Sequence, residues 1–196
     1  MTMLSAITTI QHASNCSAAS SWRAFRREIT ALLLSAICGV YASSAYASDL
    51  KIGQDAPALA LHTLDGRNIA TRDLRGQVVI VTFWATWCGF CSEELPLLSA
   101  FAKHHATDGL QVLGFSLDGA DDLAKVREMS SKLQFPVGLL GGPWAGGYGR
   151  IWRLPVTFVI DRSGRLAYNG WDDKQPIWTE ERLRSIVTPL LVEASK

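Results

Sequence analysis

The sequence predicts an α/β domain of three layers: a central mixed sheet with helices on both faces and a β-hairpin extension at its N-terminal end. Three observations predict it. The run 78–83 is continuous and rich in β-branched residues, the pattern of a strand covered on both faces rather than wetted on one. Helically spaced segments follow the buried runs 78–83 and 110–117, and alternating buried strands and helices imply right-handed parallel crossovers. Tight-turn signals at Asp65-Gly66 and at 162–165 add antiparallel pairs at the two ends, so the sheet is mixed.

Taken in order, Ala58 to His62 and Asn68 to Ala70 flank Asp65-Gly66 and form the N-terminal hairpin. Val78 to Phe83 is the first buried strand. Cys91 to Ala106 has helical spacing, with Leu95, Leu98, Phe101 and Ala102 on one face. Pro96 inside it lacks a backbone donor and should bend that helix. Leu110 to Leu117 is a second buried strand. Asp121 to Leu133 is a second helix, with Asp121 or Asp122 at its N-terminus. Pro136 to Leu140 is a short strand, and 141–152 is rich in glycine and aromatic residues. Val156 to Asp161 is the third buried strand, turning through 162–165 into Leu166 to Gly170. Thr179 to Val192 closes the chain as an amphipathic helix.

Composition narrows the function. Among 196 residues, 19 Lys and Arg face 18 Asp and Glu, so no basic field exists to grip phosphates and nucleic acid is not an expected partner. Four cysteines in a chain of this length are no disulfide scaffold. Their positions say more. Arg23, Arg26 and Arg27, the apolar run 31–42 and the small residues at 45–47 read as the basic, hydrophobic and cleavage regions of an export signal. Cleavage would follow Ala47; alternatively the stretch from Ile29 to Ala47 stays as a membrane anchor. The expected division is 1–47 as extension and signal and 48–196 as the folded domain, located in the periplasm. Cleavage removes Cys16 and Cys38 and leaves Cys88 and Cys91 as the whole cysteine complement. A single Cys-x-x-Cys in an oxidising compartment invites a redox reading.

Cys88 follows a buried strand across Trp84 to Trp87 and opens the helix that carries Cys91. Free N–H groups and the positive end of the helix dipole lie there and favour thiolate over thiol. Cys91, on the same side of the first turn but deeper, is placed to resolve a mixed disulfide that Cys88 has formed. A static disulfide and half of a zinc site are the alternatives. Zinc needs two further ligands, and the candidates are His62 on the hairpin and the adjacent His104 and His105, which should point apart on a helix. No metal is expected.

The segment from Phe83 to Cys91, with Glu94 and Pro96 behind it and Leu154 to Asp161 later, resembles the thioredoxin fold. The similarity is greatest to the secreted or membrane-anchored TlpA/ResA/CcmG-like thiol:disulfide oxidoreductases, over about residues 50–192. The resemblance implies a redox-active Cys88/Cys91 disulfide with no other cofactor. Pro155 matches the family's cis-proline beside the disulfide. Glu94 matches an acidic residue that handles the proton of Cys91. Trp87 matches an aromatic flanking the first sulfur, and Leu154 and Val156, on either side of Pro155, are implied to meet a substrate segment. Thr82 stands where cytosolic thioredoxins carry a buried Asp, which moves proton handling toward Glu94. Phe90 replaces the proline common between the two cysteines.

Several functions share these residues. The first is a periplasmic reductase of client-protein disulfides, in cytochrome c or copper-site maturation, recharged by a membrane thiol donor of the CcdA/DsbD kind. The second is an oxidase or isomerase of secreted proteins. A copper-binding metallochaperone would want a Met or His cluster, which the chain lacks. A thiol peroxidase would want Thr three residues before the first cysteine, where Ala85 stands.

Overall fold

The computed structural model describes residues 50–174 and 177–192. The expected export signal, the expected division at Ala47, and Cys16 and Cys38 lie outside the described residues. Among the described residues, seven strands and three α-helices run in the order β1 (Ala60–His62), β2 (Asn68–Ala70), β3 (Val78–Trp84), α1 (Gly89–His104), β4 (Leu110–Ser116), α2 (Leu123–Ser130), β5 (Val137–Leu139), β6 (Val156–Ile160), β7 (Leu166–Tyr168), α3 (Glu180–Val192). The main sheet has the order β5-β4-β3-β6-β7. Strands β3, β4 and β5 are parallel, while β6 and β7 are antiparallel to their neighbours. The sheet is therefore mixed, as the two kinds of connection require.

All seven residues of β3 are buried, because it is the middle strand and carries apolar cover on both faces. Its alternation sorts them. Val78, Ile80 and Trp84 join a cluster with Leu95, Leu98 and Phe101 of α1, Val126 of α2, and Leu183, Val187 and Leu191 of α3. Val79, Val81 and Phe83 join a second cluster with Leu61 of the hairpin, Tyr148 and Ile151. Helical cover lies on both faces but differs in kind: α-helices on one, and on the other short 3-10 turns such as Gly146–Tyr148 and Gly170–Asp172, together with the hairpin. The chain steps from β3 to β4 to β5 in one direction, and right-handed crossovers taken in one direction put both helices on one face.

The hairpin is a separate two-stranded sheet docked at the β5 edge. The Leu64 N–H donates to the Val137 carbonyl at 2.8 Å. A Cβ at Gly138 would stand 2.0 Å from the His62 carbonyl oxygen, so only glycine admits this approach.

Two local readings need correction. The second helix is shorter than its periodicity, Leu123–Ser130 behind a 3-10 turn at Ala120–Asp122. The Ser130 and Ser131 hydroxyls take the Arg127 and Glu128 carbonyls at 3.0 and 2.7 Å, and Phe135 must be extended before Pro136. His104 and His105 do not point apart. Helix α1 ends at His104, His105 leaves helical geometry, and the two rings meet edge to face at 4.7 Å.

Candidate active site

Helix α1 begins directly after the buried strand β3 and the short loop Ala85 to Trp87, and Cys88 is its N-cap residue. The Cys91 N–H donates to the Cys88 Sγ at 3.2 Å, so a first-turn amide is aimed at that sulfur. No acidic side chain stands in the first turn to oppose a thiolate there. Cys88 and Cys91 are joined by a disulfide with Cα atoms 5.3 Å apart. Cys88 is 8% exposed and Cys91 fully buried, so of the pair Cys88 alone keeps contact with solvent. Trp87 and Phe90, the residues on either side of Cys88-Gly89, are 69% and 60% exposed and give the rim of the disulfide an apolar character.

The loop before Cys88 is clamped from β4. Asp118 Oδ2 accepts from the Thr86 N–H at 2.9 Å and from the Ser116 hydroxyl at 2.6 Å, while Oδ1 accepts from the Thr86 hydroxyl at 2.6 Å. Asp118 lies just past the end of β4 and is buried beside its partners. Its removal leaves the Thr86 donors unmatched. Asp118→Ala should therefore lose about 3 kcal/mol of stability, read as a fall in the urea midpoint. A midpoint equal to that of the wild type would show that Thr86 is held by other means.

Glu94 lies one turn beyond Cys91 on the buried face of α1, only 2% exposed. Its Oε2 accepts from the Trp178 N–H at 3.2 Å, and its Oε1 is 3.3 Å from the Thr157 hydroxyl, which also meets the Thr82 hydroxyl at 2.9 Å. Thr82 and Thr157 face each other across the β3/β6 pairing. Burial is the dominant influence and pushes the Glu94 carboxyl up to about 7, against the lowering effect of Trp178, Thr157 and the Arg182 charge. The hydroxyl pair suits either state of the acid. Thr157 donates to an ionised Glu94 and accepts from a protonated one, with Thr82 reversing accordingly.

The Leu154–Pro155 peptide is cis. Leu154 is partly buried against both core clusters. Val156 does not offer its side chain to a substrate. Strand alternation sends Thr157 toward Glu94 and Val156 to the opposite face, where it is 1% exposed among Phe83, Phe158 and Leu166. Of the aromatic residues beyond the motif, Trp178 is buried and Trp171 half-buried, whereas Trp152, three residues before Pro155, is 70% exposed and stacks on Trp171 at 5.5 Å. Among the described residues no cluster of His, Cys, Asp or Glu could hold a metal ion.

Sequence reading missed Asp118, Trp178 and Arg182 as members of the site, since each reaches it only through the fold. Thr157 carried a faint signal: it stands two residues past Pro155 and so shares its strand face.

A thioredoxin-like sheet that closes a disulfide across the first turn of the helix after its middle strand defines a thiol-disulfide oxidoreductase. The chain belongs to the AhpC/TSA family, whose model matches residues 52–169. Among its relatives is the thiol-disulfide oxidoreductase ResA of Bacillus cereus (strain ATCC 10987 / NRS 248), 30% identical over 164 residues, which are 82% of this chain and 94% of that protein. ResA of Bacillus subtilis (strain 168) is 31% identical over 70% of this chain and 79% of its own length. A thiol:disulfide interchange protein of the thioredoxin family from Chlorobium tepidum TLS superposes with a TM-score of 0.60 at 25% identity, covering 74% of this chain and 99% of that one.

Proposed function

We propose that the protein is an exported, periplasmic reductase of client-protein disulfides, with Cys88 as nucleophile, Cys91 as resolving thiol and Glu94 as the acid that handles the proton of Cys91. The observation that carries this reading is the asymmetry of the pair. Cys88 sits at the helix N-cap with an amide aimed at its sulfur and an edge in solvent, while Cys91 is sealed beside a buried carboxyl. The reduced Cys88 thiolate attacks one sulfur of a client disulfide, and the other client sulfur leaves as a thiolate that takes a proton from water. Cys91 gives its proton to Glu94 and attacks the Cys88 sulfur, releasing the second client sulfur as a thiolate that takes a proton from water and leaving the Cys88–Cys91 disulfide. The client gains two electrons and the protein loses two.

Pro155, with Leu154, presents the backbone against which a client segment would lie, and Trp87 borders that approach. Clients in cytochrome c or copper-site maturation, and a membrane thiol donor of the CcdA/DsbD kind, fit a reductase that must be recharged outside the cytoplasm. The segment 1–47 supports export, with cleavage after Ala47 or retention as an anchor. Peroxide turnover is not the favoured chemistry, since Ala85 offers no hydroxyl and the Thr86 hydroxyl is committed to Asp118. Equilibration of Cys88/Cys91 with glutathione tests the direction. A reductase should lie near the thioredoxin end, about −270 mV. A potential near about −120 mV would make the protein an oxidant and overturn this reading.

A further inference from the structure

The Ile177–Trp178 peptide unit has one partner at each end. Its N–H donates to Glu94 Oε2 at 3.2 Å, and its carbonyl oxygen accepts from Arg182 Nη1 at 2.8 Å. Arg182 belongs to the first turn of α3, and its own N–H lies 3.2 Å from the Thr179 hydroxyl that precedes the helix. The guanidinium is fixed on its other side. Nη2 bonds Asp173 and stands 3.1 Å from the Tyr168 hydroxyl, which itself donates to Asp173. The guanidinium also lies over the Trp178 ring at 5.2 Å, and Tyr168 packs edge-on against the same ring at 4.9 Å.

We propose that Arg182 is a positioning residue for Glu94: by gripping the carbonyl of the Ile177–Trp178 peptide it holds and polarises the N–H that Glu94 accepts, and so sets the pH range over which Glu94 can take the Cys91 proton. The inference rests on the relay role given to Glu94 above. A cation on the oxygen of an amide draws electron density from its nitrogen and makes the N–H a stronger donor, which favours the ionised carboxylate. The remaining groups around Glu94 do not supply this. Among the described residues, β3 and β6 bring the Thr82 and Thr157 hydroxyls to this carboxyl, Cys91 stands one turn before it on α1, and Tyr168 and Asp173 bond Arg182. The direct effect of the Arg182 charge on the carboxyl has the same downward sign.

The test uses the full-length protein with carbon-labelled glutamate. Two quantities are read: the titration midpoint of the Glu94 carboxyl by NMR, and the pH profile of stoichiometric reduction of insulin. Arg182→Gln should raise the carboxyl midpoint by about one pH unit and move the Glu94-dependent limb of the rate profile the same way. Should that variant fail to fold, Arg182→Lys is read in its place. An ammonium cannot bond Ile177 and Asp173 together while lying flat on the indole, so a smaller rise is expected. A folded variant whose carboxyl midpoint is unmoved overturns the proposal. Glu94→Gln separates this from the relay reading. If that substitution leaves the rate profile unchanged, the relay role falls, whatever Arg182 does to the carboxyl.

Discussion

Replacing Cys91 by Ser should convert the protein into a trap. Cys88 keeps its N-cap position and its edge in solvent, so attack on a client disulfide proceeds and a mixed disulfide forms. The thiol that would release it is gone, and turnover falls to background while covalent adducts accumulate. Isolating these adducts from cells under non-reducing conditions also identifies the clients, since the attached protein can be sequenced. Cys88→Ser should trap nothing, because Cys91 is fully buried behind the first turn. The reverse pattern, adducts with Cys88→Ser and none with Cys91→Ser, would exchange the two roles.

Glu94→Gln should stabilise the oxidised protein by about 3 kcal/mol near neutral and alkaline pH. The sign follows from where the proton resides. Burial lifts the folded carboxyl to about 7 against 4.5 for the free side chain. Between these values the native state holds a proton that the unfolded chain has released, so wild-type stability falls as pH rises through this window. Glutamine is uncharged throughout, still offers an oxygen to the Trp178 N–H, and escapes the fall. The gain should vanish below about pH 4.5, where both states of the wild type are protonated. Urea unfolding at a series of pH values gives the result directly. A gain that is the same at acid and alkaline pH would mean that packing, not ionisation, separates the two side chains. The relay role proposed for Glu94 would thus rest on a side chain that makes the fold weaker as pH rises.

Much of the fold was legible because its signals are local. The β3 run announces double burial by its continuous β-branched sequence, and all seven residues of the strand are buried. Helix α1 departs from its periodicity only at the ends, where the N-cap sulfur and the loss of helical geometry at His105 decide the limits. Apolar spacing continues past Ser130, whereas serine hydroxyls and Pro136 end the backbone pattern of the second helix there. Val156 was placed at a substrate surface by its neighbour in sequence, Pro155, yet strand alternation buries it.

The cysteine pair and its setting were determined by the sequence alone. A Cys-x-x-Cys after a buried strand and at the start of a helix fixes which sulfur meets the dipole and which lies inside, because both facts follow from helical geometry over four residues. What surrounds Glu94 was decided only by the tertiary structure. Thr157 reaches it across the β3/β6 pairing, the Trp178 amide comes from 84 residues away in sequence, and Arg182 acts from the far end of that peptide. A carboxyl's acidity depends on how much water is removed and which donors replace it. Those partners come from segments that only folding brings together.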